Sequence, residues 1–146
     1  MDSIRVKKDD VYRIEVNDDG EYIEFDLLDI DLGSKCLTAA QELEKEKALY
    51  NKQSEELYNQ YKDDSKTLLI KQHDLDVEHC TKLRKAFDLF LGEGACKKIF
   101  GDTNRIGMFD ALFEELSPHL EKMEINIKKI KQKIKEKYTQ KDEGII

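Results

Sequence analysis

His73, Asp76, His79 and Cys80 are the residues whose types and spacing come nearest to chemistry: at i, i+3 and i+4 intervals on a helix they share one face and could offer two metal ligands. Closing a tetrahedral site needs more donors, and neither a CxxC pair nor a second ligand pair occurs elsewhere. Cys80 lies on the same stripe as Phe87, which makes it a small buried hydrophobe, with His73 and His79 as ordinary surface residues. A cysteine nucleophile needs an oriented base beside it, and the spacing supplies none. Gly92-Glu93-Gly94 with Lys97-Lys98 hints at a phosphate loop, but the third glycine is missing and a helix precedes it where a strand should. Asp26, Asp29 and Asp31 alternate as calcium ligands do, without the glycine or closing glutamate of such a loop. The sequence therefore predicts a protein that is not an enzyme, with no catalytic residue, no metal and no cofactor.

The 146 residues fit one domain with a real core. Charged and apolar residues each make up 39%, aromatics only 8%, and tryptophan is absent, a balance suited to long solvated helices. With 25 basic against 32 acidic residues the net charge is −7, which disfavours a generic nucleic-acid binder. No apolar run reaches the roughly 20 residues of a membrane span. Met1-Asp2-Ser3-Ile4-Arg5 lacks the apolar core of a signal peptide. Three cysteines, Cys36, Cys80 and Cys96, cannot complete a disulfide framework. A cytoplasmic protein with reduced thiols and no membrane contact is the expectation.

Periodicity then gives the elements. Tyr12, Ile14 and Val16 alternate with Arg13 and Glu15; after Asn17-Asp18-Asp19-Gly20, Ile23, Phe25 and Leu27 alternate with Glu24 and Asp26. This predicts a β-hairpin over 11–27, with Ile4 and Val6 available for a short third strand. A first helix should start at Asp29 or Asp31 and run to about Asp63, with Leu32, Cys36, Ala40, Leu43, Tyr50, Leu57 and Tyr61 on a stripe interrupted by Lys47 and Ser54. A second, roughly Thr67 to Leu91, carries Ile70, Val77, Cys80, Leu83 or Arg84, Phe87 and Phe90 and stops at Gly92. Between Gly92 and Gly101 one or two helical turns should plug Ile99 and Phe100 into the core.

The clearest period belongs to the last third: Ile106, Phe109, Phe113, Leu116, Leu120, Met123, Ile127, Ile130 and Ile134 recur in steps of three and four. Pro118 falls inside, with Ser117 placed to cap, so the expectation is a kink or a brief restart and not a full stop. Residues 121–141 hold eight lysines against three glutamates, whereas residues 1–120 hold 17 basic against 27 acidic residues. The fold class expected is mainly α with a small β part: a hairpin followed by three long helices, bundle-like or coiled-coil-like, with a short helical plug between the second and third. Residues 1–117 form one domain and 118–146 a lysine-rich helical extension.

An apolar stripe of this length must be covered, since each residue left in water forfeits about 1.5 to 3 kcal/mol. Three coverings compete. The tail can fold back along the first helix, whose Glu42, Glu44, Glu46, Glu55 and Glu56 would face its lysines. It can bind a protein partner or a second copy through Leu120, Met123, Ile127, Ile130 and Ile134, flanked by Lys128, Lys131 and Lys135. Or it can bind an anionic partner, nucleic acid or a membrane surface, through Lys128, Lys129, Lys131, Lys133, Lys135 and Lys137; the absence of arginine from the tail weakens the nucleic-acid case.

The run Ala86-Phe87-Asp88-Leu89-Phe90-Leu91-Gly92-Glu93-Gly94-Ala95-Cys96-Lys97-Lys98-Ile99-Phe100-Gly101, followed by Ala111-Leu112-Phe113-Glu114-Glu115-Leu116, resembles small phage and prophage proteins of Gram-positive bacteria, similar in turn to the tail assembly chaperones of siphophages. The resemblance spans roughly residues 11–117 and is specific over about 30 of them, with Phe87, Phe90, Gly92, Gly94, Ile99, Phe100 and Gly101 as its structural motif. It implies a non-enzymatic role: coating the aggregation-prone tape-measure protein and recruiting tail-tube subunits in the host cytoplasm, as a homo-oligomer, with nucleic acid disfavoured as a partner. The lysine-rich extension after Pro118 departs from that family's shorter ending. A coiled-coil structural component of the virion is a further reading.

Overall fold

The computed structural model describes residues 1–7 and 10–123. β1 (Val11–Glu15) and β2 (Tyr22–Asp26) pair antiparallel with Ile14 opposite Ile23 and Tyr12 opposite Phe25, so the apolar alternation places one face inward. Asn17 builds the turn: its Oδ1 accepts the N–H groups of Asp19 (3.0 Å) and Glu21 (3.2 Å), and Gly20 takes the positive φ of 77°. The third strand does not form. Residues 1–7 have no regular structure, and Ile4 and Val6 are 94% and 86% exposed.

Two long helices follow, α1 (Leu32–Tyr61) and α2 (Ser65–Leu91), packed against each other as a hairpin. Asp31 sits at the start of α1 without a side-chain cap; Asp29 instead accepts the Asp31 N–H through Oδ1 (2.9 Å). Asp64 does cap α2, accepting the Thr67 N–H (3.1 Å) and hydroxyl (2.7 Å), and these bonds hold its carboxyl below the usual range. The core lies where the inner ends of the helices meet β1 and β2, and unites Ile23, Phe25, Leu43, Leu83, Phe87 and Phe90 among others. On α1 the stripe differs by one position: Ala39 is buried where Ala40 was expected, and Glu46 is buried too.

After Gly92, α3 (Ala95–Phe100) is a single short helix between Gly94 and Gly101, both at positive φ. Asp88 Oδ1 accepts the Cys96 N–H at 2.8 Å, fastening the start of α3 to α2. The plug is made by Ala95 and Cys96, which are fully buried, while Ile99 and Phe100 are half-buried and pack against the core edge. Ile99 and Phe100 thus meet the core as expected, but the residues fully enclosed are the two small ones at the start of α3.

The final described helix, α4, covers residues 108–123 and passes through Pro118 without a break. Ser117 is not a cap: its hydroxyl donates to the Phe113 carbonyl at 2.9 Å, inside the helix. Phe109, Leu116 and Met123 are buried as the seam requires, joined by Met108 and Leu112. Ile106 is not part of the seam, since it lies in a turn ahead of α4 and is 92% exposed. Phe87 stacks on Phe109 (5.2 Å between centroids), so α4 is covered by the chain's own α2.

Candidate functional site

Each residue singled out from the sequence can now be placed. Phe87 and Phe90 are core residues, and Gly92, Gly94 and Gly101 supply the positive φ values around α3. Leu120 is half-buried against the core and Met123 is buried in it, so this part of the seam is used internally. Ile127, Ile130, Ile134, Lys128, Lys131 and Lys135 lie outside the described residues, as do the remaining tail lysines.

The histidine and cysteine group does not converge. His73 is exposed beside Asp74, Cys80 is in the core, and Asp76 is engaged by the Tyr50 hydroxyl at 2.6 Å. Among the described residues no three His, Cys, Asp or Glu side chains come together as a metal site. Among the described residues Cys80 and Cys96 form no disulfide. Burial, aided by Asp88, pushes the Cys96 thiol up to about 12, and burial also raises Cys80, so both stay protonated and poorly nucleophilic.

The structure gathers a polar bridge between α1 and α2 that the periodicity did not reveal. Gln72 Nε2 reaches Tyr50 Oη (3.2 Å), Ser54 Oγ (3.1 Å) and Asp76 Oδ1 (3.0 Å). Burial first, then the bond to Asp76, raises the Tyr50 hydroxyl above its ordinary value, so it remains a donor. His79 is not the ordinary surface residue expected. Its ring stacks on Tyr50 (4.6 Å), its Nδ1 is enclosed without a hydrogen-bond partner among the described residues, and burial lowers its pKa. The only sequence signals were the polar interruptions of the α1 stripe.

Two clefts flank the turn before α4. One, of about 240 Å³, lies between α1, α2 and that turn, with Leu43, Leu83 and Phe109 on its apolar walls and His79 at its edge. The other, of about 600 Å³, runs between the end of β1, α3 and α4, with Ile14, Val16, Ile99, Leu112 and Leu116 on its walls. Arg84 fixes the loop they share: its guanidinium donates to Asn104 Oδ1 (2.9 Å) and to the carbonyls of Gly101 (3.0 Å) and Thr103 (3.0 Å).

Beyond the core, the α1–α2 hairpin continues as an arm. No apolar residue of α1 after Leu43 and none of α2 before Cys80 is fully buried. At 1.5 Å per residue, the roughly 15 residues on each side project about 22 Å. Ile70 and Val77, expected on the inner stripe of α2, are 54% and 42% exposed two turns apart, and Leu69 and Tyr58 are exposed as well. The physical reason is that two helices bury one face each, and the third layer that covers this face of α2 at the base does not reach the arm.

None of the described helices is long and apolar enough to cross a membrane. Neither curated proteins nor solved structures give a match to the chain. A family model does match, over residues 19–143, from the hairpin turn through the four described helices and beyond. The chain thus belongs to the family of unknown function DUF6673.

Proposed function

We propose that this protein is a non-enzymatic assembly chaperone of a long-tailed phage, acting in the host cytoplasm, which binds the helical tape-measure protein and helps recruit tail-tube subunits. The observation that carries the reading is the arm: Ile70 and Val77 stand at i and i+7 on one exposed face of α2. An amphipathic client helix laid along such a face buries its own stripe at the same spacing. The resemblance of residues 86–116 to tail assembly chaperones supports the same reading, and so does the protonated state of the buried thiols, which leaves them structural.

Co-expression with the tape-measure protein tests it. The client should stay soluble and copurify with the natural chain, and be lost with the Ile70→Asp, Val77→Asp double variant. Both sites are solvent-facing, so the fold should change by no more than about 0.5 kcal/mol per site. A client that aggregates equally with both proteins, or salt-sensitive binding of the chain to duplex DNA in its place, would overturn the proposal.

A further inference from the structure

The ladder between β1 and β2 fixes which main-chain groups point outward. Val16 N–H donates to Glu21 O (2.9 Å) and Leu27 N–H to Asp10 O (2.9 Å), so residues 10, 12, 14 and 16 face β2. The N–H and C=O groups of Val11, Arg13 and Glu15 therefore point away from it, and among the described residues nothing pairs with them. The outer edge of β2 is treated differently. Tyr22 O lies 3.4 Å from Lys98 Nζ, and Asp26 O accepts the Asp29 N–H at 3.1 Å. Two carbonyls of the β2 edge are thus engaged, while among the described residues none of the outward groups of β1 is, and an open edge recruits a strand.

Beside the open edge lies the 600 Å³ cleft, with Ile14 and Val16 on one wall and Leu112 and Leu116 of α4 on the other. A strand added to β1 would lie over α4 and turn every second side chain into that cleft. The chain carries a segment with the matching pattern. Ile4 and Val6 alternate with Arg5 and Lys7, and both apolar side chains are almost wholly exposed.

We propose that the open edge of β1 is a strand-addition site whose occupant is the segment 3–7 of a second copy of this chain. With Val6 opposite Ile14 and Ile4 opposite Val16, both apolar side chains enter the cleft; on the outer face Arg5 stands opposite Glu15, a favourable cross-strand pair, while Lys7 falls opposite Arg13, whose guanidinium is already neutralised by Glu24 at 2.8 Å. The donor in this register is not the chain's own segment, because Val11 and Tyr12, which pair with β2, would have to form the turn at the same time. Exchange in both directions gives a closed two-fold dimer. The inference concerns a different surface from the arm and stands apart from the client reading.

The test is amide hydrogen exchange on the full chain across a concentration series, with sedimentation run in parallel. The Glu15 and Arg13 amides should exchange at least about tenfold more slowly as the dimer forms. Ile4→Asp with Val6→Asp should give a monomer with fast exchange at both positions. Arg13→Pro should give the same for Glu15, since the Arg13 N–H takes no part in the β1–β2 ladder and proline is tolerated at such an edge. A monomer at every concentration, protection independent of concentration, or a dimer unchanged in both variants would overturn the proposal.

Discussion

Phe87 touches Phe109 and Phe113 and has no exposed surface, so it ties α2 to α4. Phe87→Ala should cost about 3–5 kcal/mol, read as a lowered midpoint in chemical denaturation. Its burial was legible because it falls on a stripe with Cys80 and Phe90. His79 was not legible, since its burial depends on Tyr50 from the neighbouring helix. The His79 pKa is held below its ordinary value by burial, against the attraction of Glu46, Asp76 and Asp110 and with slight help from Lys82. An unfolded chain therefore takes up this proton at higher pH than the folded one, so the stability His79 leaves intact above about pH 6.5 falls as acid drives protonation. His79→Phe keeps the stack on Tyr50 and should flatten the loss of thermal stability between pH 7 and 5. An unchanged slope would show that other groups carry it.

At the scale of elements, the hairpin and the long helices were legible from alternation, helical stripes and turn chemistry. Two local features were hidden, the α3 plug and the Arg84 staple. Ala95 and Cys96 are the enclosed residues of α3 because Asp88 fastens the Cys96 N–H to α2, a constraint set by three-dimensional approach and not by hydropathy. Arg84 staples the 101–104 loop, which its place on a helical stripe does not announce. Pro118 lies within α4, where it has no N–H for the Glu114 carbonyl and crowds it. Pro118→Ala should stabilise the fold by about 1–3 kcal/mol, measured as a raised unfolding midpoint. A drop would mean that the proline serves the packing around Leu120 and His119. Asp64→Ala removes both bonds to Thr67 and should cost about 1 kcal/mol, with the loss seen first as faster amide exchange in the first turn of α2.

Over the whole molecule, the described part of the apolar seam read from the sequence is, from Phe109 onward, used internally. Phe109, Leu116 and Met123 are covered by the protein's own core, while Ile127, Ile130 and Ile134 lie outside the described residues with the tail lysines. What periodicity could not tell is that apolar residues on a helix stripe need not be inside. Ile70 and Val77 continue the stripe of Cys80 and Phe87 and are 54% and 42% exposed, because the third layer stops at the base of the arm. An exposed apolar face at helical spacing is a surface for another helix. The most direct measurement is the fraction of tape-measure protein kept soluble when it is made together with this chain. With the natural chain most of it should remain in a stable complex, and with Ile70→Asp and Val77→Asp it should precipitate while the variant stays folded. An equal soluble fraction with both chains, or none with either, would contradict a client-binding arm.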